Sequence, residues 1–298
     1  MKLLVILGPT ASGKTALAVE VAKRINGAII SADSRQIYRG MDIGTGKDLD
    51  TYGDVPHFLI DILNAGDTYD ITRYHNDFHR SLQIIQHQQK QPILCGGSGL
   101  YIQSVLQPFE YSTVPVDPDL RDSLASLSMD TLLEKLHSLP TPPRFQADTS
   151  TKKRLIRAIE IATWSLDHPS PATAPPAISA QLFGINPPLP SRRQRITERL
   201  QQRLENGLLA EVQTLLDRGI PSEKLIYYGL EYKYATQYLH GELDYETFFA
   251  QLNTAIHRFA KRQMTYFRKM EKDGLTIHWL SPRAIGDMAN EVIRTLEK

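Results

Sequence analysis

The chain has 298 residues, 41% of them hydrophobic, a formal net charge of +1 and one cysteine. That length and apolar content can bury a full core, in one large domain or one domain carrying a smaller insert. No apolar run approaches the ~20 residues of a membrane span, the sequence does not open on a secretory pattern, and one thiol excludes a disulfide framework or a multi-cysteine zinc site, so a soluble cytoplasmic protein is expected.

Residues 3–7 are an apolar run expected to be a strand, and Gly8-Pro9-Thr10-Ala11-Ser12-Gly13-Lys14-Thr15 follows at once. A strand that ends in a glycine-rich turn and feeds a helix, here expected over 16–25, aims successive backbone N–H groups and the positive end of the helix dipole at one point. The ligand expected there is a polyphosphate, with Lys14 reaching the outer phosphates and the Thr15 hydroxyl suited to Mg2+.

Strands are expected over 28–32, 58–62 and 93–95, with a helix over 71–88 between the last two. Such alternation predicts an α/β protein: a P-loop nucleotide-kinase-like parallel sheet with helices on both faces. Ser31-Ala32-Asp33-Ser34-Arg35-Gln36-Ile37-Tyr38 lies at the carboxyl end of the second strand, on the sheet edge that also carries the phosphate loop. Asp33 therefore faces the phosphate site, where an aspartate can hold magnesium, cap the next helix or act as a general base. Cys95-Gly96-Gly97-Ser98-Gly99 repeats the strand-to-glycine-turn pattern on the same edge, and Cys95 itself reads as a buried, inert thiol.

Beyond Ser98 the pattern changes to short helical segments and proline-rich stretches, which predicts a mostly helical insertion over 115–176. Its far boundary is the run 167–176, expected as an exposed loop, so the core comprises 1–114 and 177–298. The chain re-enters the core through a strand at 181–185. Ile196, Leu200, Leu204, Leu208, Val212 and Leu215 then recur at helical spacing and predict one long amphipathic helix from 193 onward. A second long helix is expected over 245–270 and a last strand over 276–280.

Two basic clusters stand out against the neutral total. Lys152, Lys153, Arg154 and Arg157 share a helical stretch of the insertion. Arg258, Lys261, Arg262, Arg268, Lys269 and Lys272 crowd the last long helix, interleaved with Phe259, Tyr266 and Phe267. Each cluster alone is as consistent with a solvated helix face as with an RNA surface. Beside a phosphate-transfer core they point to RNA, whose single-stranded loops need phosphate contacts and stacking partners.

Six ordered motifs carry a resemblance: residues 8–15; Asp-Ser-x-Gln-x-Tyr-Arg-Gly-Met-Asp-Ile-Gly-Thr at 33–45; Pro-His-x-Leu-Ile-Asp at 56–61; Gly-Gly-Ser-Gly-Leu-Tyr at 96–101; Arg-x-x-Arg-Ala-x-Glu at 154–160; and Ala-Lys-Arg-Gln-x-Thr-x-Phe-Arg at 260–268. Together they resemble the tRNA dimethylallyltransferase family, also called tRNA isopentenyltransferases, over nearly the whole chain.

That resemblance implies transfer of a dimethylallyl group from dimethylallyl diphosphate to the exocyclic N6 amine of the adenine 3′ to the anticodon, in tRNAs that read codons beginning with U. It implies that the loop residues 8–15 and Arg157 hold the diphosphate with Mg2+ at Thr15, that Lys14 stabilises the leaving group, and that Asp33 accepts the amine proton. Ser98 stands where the family has threonine and would help to position the amine. The implied tRNA contacts are Asp33, Ser34, Arg35, Gln36, Ser98, Lys153, Arg154, Arg157, Arg258, Lys261, Arg262 and Gln263, with the insertion gripping the anticodon stem. The implied partners are the tRNA anticodon stem-loop and dimethylallyl diphosphate, and a monomer is expected. The chain departs from the family pattern at His257, where threonine is usual, at Tyr266, where tryptophan is usual, and at Tyr228-Gly-Leu-Glu-Tyr-Lys233, an altered Ile-Gly-Tyr-Lys-Glu motif.

Two readings from other classes compete. A small-molecule P-loop kinase accounts for the core but gives the basic helix no work, and an RNA-binding phosphate-loop switch lacks any Asn-Lys-x-Asp guanine-specificity run. A nearer rival prenylates free adenine nucleotides. Salt dependence separates it from the tRNA reading, because engaging about five RNA phosphates predicts a log-log slope near ~−3.5.

Overall fold

A computed structural model describes residues 2–107, 111, 114–140, 142, 145, 147–168 and 178–296. The chain divides into two compact units, Met1–Leu106 with Ile178–Lys298, and Gln107–Ala177. The second unit thus begins ahead of the expected boundary at 115.

The first unit is built on six parallel strands: β1 (Leu3–Leu7), β2 (Gly27–Ala32), β4 (His57–Phe58), β6 (Gln91–Gly96), β7 (Ala180–Ile185) and β8 (Ile277–Leu280). Their order is β4-β2-β6-β1-β7-β8. The central strands read as continuous apolar runs because both faces of a parallel sheet are covered. Leu3, Val5 and Leu7 of β1 belong to one core cluster, while Leu4 and Ile6 belong to the other, as the two-residue alternation of a strand requires. The expected α/β architecture with helices on both faces is the observed one.

Two expectations are corrected. The strand predicted over 58–62 is only His57–Phe58, because Leu59 and Asp61 take positive φ (61° and 54°) and turn the chain off the sheet. It continues instead into β5 (Leu63–Asn64), which pairs with β3 (Tyr38–Arg39) in a separate two-stranded sheet. The single helix predicted from 193 is two, α7 (Leu189–Glu205) and α8 (Leu208–Asp217), broken at Gly207 with φ 99°. The apolar spacing runs through the break because both helices bury the same stripe, including Ile196, Leu200, Leu208 and Val212, in one core.

Helix α1 (Lys14–Arg24) follows the first glycine turn, α2 (Ile71–His87) leads into β6, and α3 (Gly99–Leu106) follows the second glycine turn. Downstream lie α9 (Ser222–Tyr228), α10 (Leu230–Leu239), α11 (Tyr245–Lys272) and α12 (Ile285–Leu296). The 28-residue α11 starts where the Asp244 carboxylate accepts from Thr247 N–H at 2.7 Å. It buries Phe248, Leu252, Ile256, Ala260, Met264, Phe267 and Met270 at helical spacing.

The second unit packs α4 (Pro118–Ala125), α5 (Met129–Ser138) and α6 (Lys152–Asp167) around Leu124, Leu132, Leu155 and Ile159. Its buried Glu160 (2% exposed) is satisfied by a two-pronged pair with Arg121 at 2.8 and 2.8 Å, by Asp117 N–H and by Arg157. Most of the proline-rich run expected as a loop at 167–176 lies outside the described residues. Among the described residues no helix is long and apolar enough to cross a membrane.

Candidate active site

The phosphate loop adopts a shape that its sequence demands. Gly13 takes φ 88° as it enters α1, a region that favours glycine, and Ala11 also has positive φ at 59°. A Cβ at Gly8 would lie 2.6 Å from Ser12 Oγ and 2.8 Å from the Ile185 carbonyl oxygen, so the turn closes only around a glycine. Among the described residues no side chain caps α1 at Gly13, which leaves its first N–H groups open to an anion. Among the described residues the Ser12 hydroxyl, 3% exposed, has no hydrogen-bond partner. Lys14 Nζ approaches the Pro9 carbonyl at 3.4 Å.

Asp33 follows β2 and accepts from Arg35 N–H at 2.9 Å. The second glycine turn is pressed against it: a Cβ at Gly96 would lie 2.2 Å from the Ala32 carbonyl oxygen. Ser98 N–H donates to that carbonyl at 3.1 Å, and Ser98 Oγ accepts from Ser34 N–H at 3.3 Å. Ser98 and the segment from Asp33 are therefore tied into one edge. Gln36 is held by its own carboxamide, receiving a bond from Ser31 Oγ at 3.1 Å and donating to the Gly46 carbonyl at 3.1 Å.

Helices from far downstream complete the site. Arg199 and Arg203, four residues apart on α7, share one helix face. Arg199 pairs with Asp48, while Arg203 pairs with Glu231 at 3.0 Å and donates to the Gly44 carbonyl at 3.2 Å. Glu211 of α8 accepts from the N–H groups of Asp42, Ile43 and Gly44 at 2.7, 2.7 and 3.0 Å and from the Tyr232 hydroxyl at 2.7 Å, fixing the 41–46 loop. From α11, the Tyr266 hydroxyl bonds Gln103 Oε1 at 2.8 Å.

These groups enclose a cavity of about 560 Å³. Of the residues singled out in the sequence, Thr10, Lys14, Thr15, Asp33, Ser34, Arg35, Gln36, Ser98, Arg262 and Gln263 line it. Arg258 and Lys261 are exposed on α11. Lys153 and Arg154 are exposed on α6 of the second unit, Arg154 paired with Asp148 at 2.9 Å. Arg157, expected on the diphosphate, donates to the Val114 carbonyl at 2.7 Å and to those of Tyr111 and Pro115 at 3.3 Å within its own unit. Gln263, expected among the tRNA contacts, lines the cavity at 7% exposure, with both ends of its carboxamide bonded inside the protein.

Sequence reasoning missed Arg199, Arg203 and Glu231, all of which line the cavity. The one signal for the arginines was their four-residue spacing beside the apolar stripe of α7. Electrostatically the site is short of negative charge. Burial pushes the Lys14 ammonium below its ordinary 10.5; Asp33 opposes that shift, and Arg199 and Arg203 add to it. Burial and Arg203 likewise lower Arg199. Burial pushes the Cys95 thiol up to about 12, so it stays protonated, in keeping with an inert role. Lys14, Arg199 and Arg203, lining one cavity beside the start of α1, are suited to a polyanion.

Oxygen donors for a metal are few. Among the described residues no three His, Cys, Asp or Glu side chains are grouped to hold an ion. The Thr15 hydroxyl and the Asp33 carboxylate, both lining the cavity, fit magnesium's habit of taking one or two protein oxygens and filling its shell with phosphate and water.

Comparison with known proteins agrees with this geometry. The sequence model of the IPP transferase family matches residues 36–270. The chain is 48% identical to tRNA dimethylallyltransferase 1 of Porphyromonas gingivalis, covering 99% of this chain and 98% of that protein. It is also similar to the crystal structure of a tRNA isopentenylpyrophosphate transferase from Bacillus halodurans, with 31% identity, a TM-score of 0.73 and coverage of 99% and 97%. A tRNA delta(2)-isopentenylpyrophosphate transferase from Staphylococcus epidermidis matches at 30% identity and a TM-score of 0.72, covering 100% and 99%. The glycine turns, the cavity and the full-length likeness lead to one conclusion: the chain belongs to the IPP transferase family.

Proposed function

We propose that the protein transfers a dimethylallyl group from dimethylallyl diphosphate to the N6 amine of the adenine 3′ to the anticodon, in tRNAs reading codons that begin with U. The observation that carries this reading is the meeting of three cations, Lys14, Arg199 and Arg203, with Asp33 in one cavity at the open start of α1. An aromatic amine is a feeble nucleophile because its lone pair is delocalised, whereas an allylic diphosphate ionises readily once its leaving group is neutralised. The site supplies help at both ends. Loop N–H groups, Lys14 and the two arginines stabilise the departing diphosphate, and Asp33 takes the proton as nitrogen attacks. Thr15 would hold magnesium, which adds charge neutralisation at the diphosphate.

Ser98, bonded to Ser34 N–H, stands where it can position the amine or the backbone of a flipped base. Arg35 lies over Tyr227 at 5.3 Å and Arg262 over Phe259 at 5.8 Å; Arg35, Phe259 and Arg262 line the cavity and offer planar groups for stacking. Arg258, Lys261 and Arg262 on α11, with Lys153 and Arg154 on α6, are the proposed backbone contacts to the anticodon stem-loop. The protein acts as a monomer in the cytoplasm on this reading.

Mass-resolved nucleoside analysis tests it, after incubation with unmodified tRNA, magnesium and dimethylallyl diphosphate, with AMP as competing acceptor. Prenylated adenosine in tRNA, lost in Asp33→Ala, is the expected result. Modification of AMP alone would shift the acceptor to a free nucleotide, and transfer undiminished in Asp33→Ala would remove the aspartate from its role.

A further inference from the structure

Gln263 sits in the basic stretch of α11 but turns inward, at the wall of the cavity. Its Oε1 accepts from Thr10 N–H at 2.8 Å, and its Nε2 donates to the Gly97 carbonyl at 3.0 Å. One carboxamide therefore joins the phosphate loop to the second glycine turn. The two turns come close at this point: a Cβ at Gly97 would lie 2.3 Å from Nε2 and 3.3 Å from the Gly8 carbonyl oxygen. Tyr266, three residues on along the same helix, seats the second turn as well, because a Cβ at Gly99 would lie 2.3 Å from its ring.

The link matters because of what each turn carries. Thr10 lies in the loop that leads to Lys14 and Thr15, and Gly97 precedes Ser98, whose hydroxyl accepts from Ser34 N–H next to Asp33. On the reading above, the first turn holds the leaving diphosphate and the second faces the attacking amine. A displacement at carbon needs nucleophile and leaving group aligned at a set separation, and a misplacement of about 1 Å can cost about 10²-fold in rate. The buried residues Ala260, Met264 and Phe267 anchor α11 in the core, so Gln263 spans the two turns from a rigid element. A carboxamide suits that task because it presents one acceptor and one donor at a fixed distance without a charge. Both polar ends are used inside the protein, while the adjacent Lys261 and Arg262 are exposed.

We propose that Gln263 is a positioning residue: its carboxamide sets the spacing between the two glycine turns, and with it the alignment of diphosphate and amine, and it is not a contact to the tRNA. The inference rests on the transferase reading and adds to it the part that keeps the two substrates in register.

Single-turnover transfer at saturating tRNA and dimethylallyl diphosphate, set beside tRNA affinity and its salt dependence, tests the proposal. Gln263→Leu, which keeps the bulk and removes both bonds, should lower the rate by about tenfold to a hundredfold and leave tRNA affinity and its salt slope at wild-type values. A contact to RNA would give the reverse, weaker tRNA affinity with the saturated rate intact; that result, or an unchanged rate, would overturn the proposal. Gln263→Glu supplies a readout that general loosening of the fold would not move. The ionised carboxylate keeps an acceptor for Thr10 N–H but sets its other oxygen against the Gly97 carbonyl, whereas the protonated group again offers an acceptor and a donor. Its rate relative to the wild type should therefore rise by about threefold or more as pH falls from about 8 to about 5. Asp33, Lys14, Cys95 and Glu231, which line or border the same cavity, are present in both proteins, so the ratio reports the introduced carboxyl. A ratio that stays flat or falls would overturn the proposal even if the leucine variant does not fold. Absence of transfer by the wild type would remove the transferase reading itself, and the inference with it.

Discussion

The glycine turns on the sheet edge and the helices that close over them contribute to the same cavity by different means. In the turns, function and geometry are written in adjacent residues: Gly8 and Gly13 permit the loop, and Lys14 and Thr15 follow in the next two positions. In the helices, Arg199, Arg203, Glu231 and Gln263 reach the cavity from elements whose placement is set by apolar packing far from the chemistry. A local motif survives as a string, whereas a helix-borne side chain works only if its buried stripe docks in the right register. The turns therefore shape the backbone of the cavity, and the helices bring charged side chains to its wall.

The largest expected effect lies in the turns. Asp33→Asn should lower the single-turnover transfer rate by about 10²–10⁴, the usual worth of a general base, with little change in pyrophosphate affinity. Lys14→Ala should cost about 10²–10³ in rate, as loss of one preorganised charge at a developing anion does. If either variant kept near wild-type rates, the chemistry would have to be sought on the helices.

Arg199→Gln sharpens the comparison from the other side. It should weaken pyrophosphate binding by about tenfold to a hundredfold, the range of a charge-assisted bond, measured by calorimetry. An unaffected affinity would leave the arginine as a strut for Asp48 alone.

Affinity for pyrophosphate should also fall with rising pH, and the fall should begin below the ordinary lysine value of 10.5. Burial lowers the Lys14 value, so its positive charge is lost earlier as pH rises, and anion affinity is lost with it. Lys14→Arg, which stays charged, should flatten that limb even if it binds less well. The smallest effects belong to the outer face of α11. Neutralising Arg258 and Lys261 together should reduce the log-log salt slope of tRNA binding by ~1.4 and leave pyrophosphate affinity unchanged.

What the sequence made legible follows the same division. The parallel sheet, both glycine turns, Asp33 and Ser98 were readable because strand-to-turn strings fix local backbone. The break at Gly207 was not, since Leu204 and Leu208 continue the apolar spacing while the chain changes direction. The strand predicted at 58–62 failed where Leu59 and Asp61 adopt left-handed backbone, which no apolar pattern signals. Gln263 lies 7% exposed beside the exposed Lys261 and Arg262, because a helix turns about 100° per residue and the next position faces the core. The altered segment 228–233 proved self-consistent: Glu231 pairs with Arg203, and the Tyr232 hydroxyl binds Glu211.

The central claim is that a turn and a helix hold one diphosphate between them. A double-mutant cycle on Lys14→Ala and Arg199→Gln, read by calorimetric pyrophosphate binding, tests it most directly. Two groups on one ligand should be coupled, with the double variant departing from the product of the single losses by about threefold or more. Strictly multiplicative losses would mean that the two cations do not share a ligand, and the site would have to be redrawn around the phosphate loop alone.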